Sequence, residues 1–209
     1  TSAIQMMNMM RETFREEDHV RLHNVIRKAG DVINSVPDEA IVETKVRAAS
    51  LEAIESIQAK MDRAYDGAAY AFGGKILREP LQGYMPVIHR AADPVMVDVA
   101  KELGVSYRLS SAGDFNNACT DVGDLTHLFP VLNFTFAGFE GKLHGADFKI
   151  TDKEKAYILP AKLLALTTYR LLKDQAKEAE KICNDFKPVF TGEEYCRYIQ
   201  TKYYGNEGR

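Results

Sequence analysis

Two histidines and an arginine stand where their side chains could do chemistry. His23 lies in VRLHNVIR, where apolar Val20, Leu22 and Ile26 alternate with polar Arg21, His23 and Arg27. A period of two puts the polar set on one face of a strand. Arg47 closes IVETKVR, in which Val42 and Val46 alternate with Glu43, Lys45 and Arg47. An imidazole and a guanidinium on one sheet face make a cationic patch suited to a carboxylate or an oxyanion, because both groups donate charge-assisted hydrogen bonds. The plainer alternative is a solvated histidine beside a surface charge. His144 sits in GKLHGADF, a glycine-flanked loop after an apolar run. Imidazole is the commonest metal ligand, although one histidine in a loop is more often an ordinary surface residue. Asp114, Asp121 and Asp124 fall in SSAGDFNNACTDVGDLTHLFP, a turn-rich segment in which aspartate usually bonds nearby backbone. The sequence holds no HExxH, no P-loop and no dinucleotide-binding glycine fingerprint; Gly73-Gly74 lacks the rest of that pattern.

The elements that must position these groups follow from periodicity and punctuation. Ile4, Met7, Met10 and Phe14 recur at helical spacing, and Met6 and Met9 widen the stripe, so the opening helix is expected to pack on more than one side. Strands are expected over Val20 to Arg27 and over IVETKVR, joined by the loop AGDVINSVPD. Ser50 can cap a helix carrying Leu51, Ile54, Ile57, Met61, Ala64 and Ala68 on one stripe, ended by Gly73-Gly74. A short strand is then expected before Pro86. Residues 1–87 thus read as helix, strand, strand, helix, strand, a two-layer α+β sandwich with helices on one face.

Residues 88–209 are punctuated differently. In DPVMVDVAKELG, Asp93 is an N-cap, Pro94 the first helical residue and Gly104 the stop. A strand is expected over VLNFTFAGF. TDKE reads as a capping box from Thr151 to Glu154, opening a long helix through Leu172 that Pro160 should kink. DQAKEAEKICNDF and EEYCRYIQTKYY read as two closing helices. There is no internal repeat and no low-complexity tract.

Composition narrows the function. With 45% hydrophobic and 27% charged residues, the 209-residue chain has a soluble globular balance. A net charge of −3 without a long basic run argues against a nucleic-acid surface, and no apolar stretch is long enough to cross a bilayer. Three cysteines, Cys119, Cys183 and Cys196, with no CxxC spacing, are expected of a reduced, cytoplasmic chain. The opening TSAIQMMNMMRE has no initiator Met and no signal pattern, as in an internal piece of a longer protein.

Order and spacing across both parts carry a resemblance. RLH, NSVPD and KVRA resemble the lid, or dimerisation, domain of the dinuclear-zinc aminoacylase and carboxypeptidase G-like metallopeptidase family. The likeness is to its amidohydrolase branch, of the aminobenzoyl-glutamate utilisation type. CTDVGDLTHLFP is similar to that branch's STDVGD-type segment, and FAGFEGKLHGADFKITDKEKAYILPAKLLALT to its closing metal-ligand loop and long helix. The resemblance implies an α/β protein of which residues 1–87 form most of the lid and residues 88–209 the last catalytic segment. It implies a zinc-dependent hydrolase of an N-acyl or peptide amide bond next to a carboxylate-bearing residue, acting on small N-acyl amino acids or peptides as a homodimer. Two zinc ions belong to that picture, but the family's HxD motif, bridging aspartate and paired glutamates have no counterpart here. By resemblance His144 is the final zinc ligand. Asn34 and Arg47 hold the substrate's carbonyl and carboxylate, and His23 stabilises the oxyanion in the partner subunit's site. Cys119 stands where the branch has serine, and Asp121 follows it in the same segment. The competing expectation is a non-catalytic dimerisation or small-molecule-binding module. On either reading this segment alone is expected to hydrolyse nothing.

Overall fold

The computed structural model describes residues 1–109 and 119–204. They pack as two units, one of residues 1–87, 119–124 and 193–204, the other of residues 88–109 and 125–192. The fold is mixed α+β, as expected, with two separate two-stranded antiparallel sheets.

In the first unit the alternating segments form a hairpin. Strand β1, Arg21–Lys28, pairs with β2, Ile41–Arg47, from Arg21 opposite Arg47 to Ile26 opposite Val42, with a bulge between Ile26 and Lys28. Its inner face carries Leu22 and Val46 onto Met7 of helix α1, Ser2–Met9, and Ala64 of helix α2, Leu51–Ala71. Burying a side chain such as Leu22 or Ile57 stabilises the fold by about 1.5–3 kcal/mol. Thr44 and Asn24 share a hydrogen bond of 2.7 Å on the same face, and the Thr44 hydroxyl meets the Tyr65 phenol of α2. Ser50 Oγ accepts the Ala53 N–H at 3.1 Å and starts α2; Gly73, at φ 67°, stops it.

One expectation fails in this unit and one holds in part. Met6 packs against the core while Met9 is exposed, so the stripe of α1 widens at one of the two expected positions, and its chain tightens into a 3-10 turn at Met10–Thr13. The strand before Pro86 does not form. Arg78 is instead bound to Asp62 at 3.0 Å and Asp66 at 2.6 Å, which ties this Pro- and Gly-containing segment to α2. The closing helix α6, Gly192–Ile199, runs into a π turn at Gln200–Tyr204, and Lys202 Nζ reaches Glu55 of α2 at 3.0 Å.

In the second unit helix α3, Pro94–Glu102, has the expected ends: Asp93 Oδ1 accepts the Val95 N–H at 2.8 Å, and Gly104 takes φ 63°. Helix α4, Val122–Leu128, occupies part of the stretch expected to be turns and carries the chain from the first unit into the second. Strands β3, Phe139–Glu140, and β4, Lys149–Ile150, form a ribbon only two residues long. The strand expected over VLNFTFAGF is thus limited to its end, because residues 131–138 have no ladder partner among the described residues. Its rings instead form a chain, Phe134 to Phe136 at 6.4 Å, Phe136 to Phe139 at 5.6 Å and Phe139 to Phe148 at 5.2 Å.

The long helix α5, Leu159–Asp185, opens differently from the expected capping box. Asp152 Oδ1 accepts the Lys155 N–H at 3.1 Å, while the Thr151 N–H turns to the Gly138 carbonyl at 2.9 Å. A π turn at Glu154–Ile158 precedes Pro160, which lies in the first turn of α5, where no N–H is required, and so does not kink it. The break comes after Leu172 instead, where Asp174, Gln175 and Ala176 hold φ of 53°, 61° and 61°.

Candidate functional site

The outer face of the β1–β2 hairpin gathers the cations that alternation assigned to it. Arg21 stands opposite Arg47, His23 opposite Lys45 and Val25 opposite Glu43. Arg21, His23 and Lys45 are exposed, and Arg47 is half-buried. Partners across an antiparallel pair are about 4.5–5.5 Å apart at Cα, so His23 and Arg47 are diagonal neighbours on one face. Glu43 is the acid within this face, and it is bound to Arg27 at 3.2 Å. An imidazole and guanidinium so placed can donate to adjacent oxygens of one anionic ligand.

Asn34 is not in that cluster. It lies in the exposed loop after β1, at the end of the hairpin away from Arg47, and the seven residues of β2 put about 20 Å of strand between them. Val32, Ile33 and Val36 are exposed in the same loop.

His144 lies in the second unit, in the loop joining β3 to β4. It is exposed and holds φ 64°, a left-handed conformation uncommon for a residue with a side chain. The loop imposes it. The Gly145 N–H donates to the Lys142 carbonyl at 2.7 Å, the Phe148 N–H donates to the Gly145 carbonyl at 3.2 Å, and Gly141, at φ 90°, packs against the Asp147 carbonyl where a β-carbon would collide. The Asp147 carboxylate accepts the Lys142 N–H at 3.3 Å, which turns it to the loop's own backbone. Strained non-glycine backbone held in this way is characteristic of functional positions. Among the described residues, however, no three His, Cys, Asp or Glu side chains converge. The residues described here therefore do not fit a zinc site by themselves.

The aspartates divide by role. Asp121 Oδ1 accepts the Val122 N–H at 3.0 Å and so opens α4, as its turn context predicted. Asp124 is buried and reaches far: its oxygens accept the Met85 N–H at 3.2 Å and the Tyr195 hydroxyl at 3.0 Å. Burial, then the Asp124 hydrogen bond and charge, push the Tyr195 phenol up to about 12. Thr126 and His127 are also buried. Thr126 Oγ accepts the Ile88 N–H at 3.0 Å, and the His127 ring stacks on Phe190 at 6.1 Å. Cys119 is half-buried, and Asp114 lies outside the described residues. Sequence reading missed the partners of Asp124, namely Met85 and Tyr195, which lie too far along the chain to leave a local signal. A shallow cleft of about 280 Å³ opens between Val95 and Asp98 of α3 and Arg170, Lys173 and Lys177 of α5, and contains none of the candidate residues.

Comparison with family models, with curated proteins and with solved structures returned no match. Among the described residues no helix is long and apolar enough to cross a membrane.

Proposed function

We propose that the chain is the lid and closing catalytic segment of a metal-dependent amidohydrolase that cleaves an N-acyl or peptide amide next to a carboxylate-bearing residue. The observation that supports this reading is the register of β1 on β2, which makes His23 and the half-buried Arg47 diagonal neighbours on the outer face. In it the planar fork of Arg47 grips the substrate carboxylate, and His23 donates a hydrogen bond to the oxygen on which negative charge develops. Asn34, at the far end of the hairpin, has no part in that contact. His144 is one metal ligand, and the rest of the ligand set lies outside the described residues. The substrates are small N-acyl amino acids or peptides, the assembly is a homodimer, and the compartment is the cytoplasm, where Cys119, Cys183 and Cys196 stay reduced.

A second reading is a small-molecule-binding or dimerisation module without catalysis, favoured by a cationic face that can bind an anion with no metal. Zinc content and N-acyl amino acid hydrolysis of the longer polypeptide separate the two. Bound zinc that falls on His144→Ala, together with turnover, supports the amidohydrolase. A polypeptide that binds no zinc and hydrolyses nothing belongs to the second reading.

A further inference from the structure

Helix α5 is apolar on more than the side it buries. From Leu159 to Leu172 it reads LPAKLLALTTYRLL, and the charges in that stretch, Lys162 and Arg170, are already paired, with Glu154 at 3.3 Å and with Glu102 of α3. One side, with Leu163, Leu166 and Thr167, is buried or half-buried where α5 packs on α3. The opposite side carries Ile158, Ala161, Ala165 and Leu172 at helical spacing, flanked by Leu164 and Tyr169, and every one of them is exposed. Tyr169 is 66% and Leu172 62% exposed. A helix that is apolar all round is ordinarily covered on every side.

We propose that this outer face of α5 is a self-association surface, on which the same face of a second copy packs antiparallel about a dyad at Ala165. The face is complementary to itself in that register. About the dyad Ile158 meets Leu172 of the second copy, and Ala161 meets Tyr169 of the second copy, so a small side chain lies against a large one. No unpaired charge is buried, because Lys162 and Arg170 keep their own partners. The exposed parts of Tyr157, Ile158, Leu164, Tyr169 and Leu172 amount to roughly 500 Å² per copy at usual side-chain areas. Pairing therefore buries about 1,000 Å², the lower limit for a specific interface. The contact uses neither the β1–β2 hairpin nor the His144 loop. Its failure and that of the amidohydrolase reading are separate results, since sedimentation tests the one and zinc content with turnover the other.

Sedimentation velocity of the whole 209-residue chain should show a monomer–dimer equilibrium with a Kd of about 10–100 µM, as befits an interface at the lower size limit. Ala165→Glu sets two carboxylates against each other at the dyad and should weaken the dimer at least about tenfold, with circular dichroism unchanged. A second measurement does not depend on that variant folding. In a Cys119→Ser, Cys183→Ser, Cys196→Ser background, Ala165→Cys should cross-link into a dimer under mild oxidation with copper phenanthroline, whereas Lys181→Cys, beyond the break in α5, should not. A chain that stays monomeric over the whole concentration range overturns the proposal, as does a dimer that persists in Ala165→Glu when its circular dichroism matches the wild type. Equal cross-linking at positions 165 and 181 overturns it too. So does a monomer that sediments with phosphatidylserine vesicles and is released by Ala165→Glu, which assigns the face to a lipid surface. Protection of Ala165→Cys from a thiol reagent in a monomeric longer polypeptide assigns the face to the rest of that polypeptide and is equally fatal.

Discussion

A side chain held at φ 64° costs about 1–2 kcal/mol relative to ordinary backbone, and glycine is spared that cost. His144 accepts the cost while exposed and at a loop tip, where packing offers little in return. His144→Gly should therefore stabilise the chain by up to about 1 kcal/mol in urea unfolding, offset in part by the added freedom of the unfolded chain. A clear loss of stability would show that the imidazole serves the fold and would remove the residue-level case for function. On the proposed amidohydrolase reading, His23 and Arg47 differ in what they should do to kinetics. His23→Ala, removing a donor to a developing charge, should lower kcat by roughly two to three orders of magnitude. Arg47→Lys keeps the charge and loses the fork, so KM for carboxylated substrates should rise with kcat little changed. If KM holds steady in Arg47→Lys, Arg47 is a surface charge with no substrate contact.

Among the elements, α6 and α4 are joined by a link that responds to alkali. The Tyr195 hydroxyl donates to Asp124, and its pKa is raised from the ordinary 10 to about 12, first by burial and then by that carboxylate. The Tyr198 and Tyr203 phenols are raised as well, both chiefly by burial. Between about pH 10 and pH 12 the unfolded chain gives up the Tyr195 proton while the folded chain keeps it, so the unfolded state binds fewer protons and stability falls as pH rises. Below pH 10 this contribution is fully present. Tm should therefore drop between about pH 10 and 11.5, and Tyr195→Phe, which cannot ionise, should drop less over the same range. Identical pH profiles for the two proteins would mean that the phenol is solvated and that the α6–α4 link is not formed in solution.

For the whole molecule, one imidazole cannot hold a catalytic zinc, which takes about three protein ligands and an open position. The 209-residue chain alone should show no zinc-dependent amide hydrolysis; turnover by the purified chain would refute the proposed reading of His144 as one ligand of a set that the described residues do not complete. On the proposed reading as a homodimeric amidohydrolase with shared sites, activity should return when His23→Ala and His144→Ala subunits are mixed. One of the two sites in each hybrid then keeps both an intact ligand and an intact donor. If subunit exchange is verified and the mixture stays inactive, His23 does not act across the dimer.

Much of the local structure was legible because it depends on neighbours a few residues apart. Period-two alternation alone put Leu22 and Val46 inward and His23, Lys45 and Arg47 outward, and a cap and a stop residue alone bounded α2 and α3. Even the end of the right-handed part of α5 at Leu172 was within reach of periodicity. What the sequence could not decide were pairings between distant residues. VLNFTFAGF has the pattern of a strand, but a strand needs a partner edge, and only Phe139 and Glu140 find one. Asp124 lies in a turn-rich segment, and its partners Met85 and Tyr195 are 39 and 71 residues away. The register that faces Arg21 with Arg47 depends on the loop and the bulge after Ile26, which no single strand encodes. Side-chain direction is a local property of the backbone, whereas opposition across a sheet exists only once two segments meet.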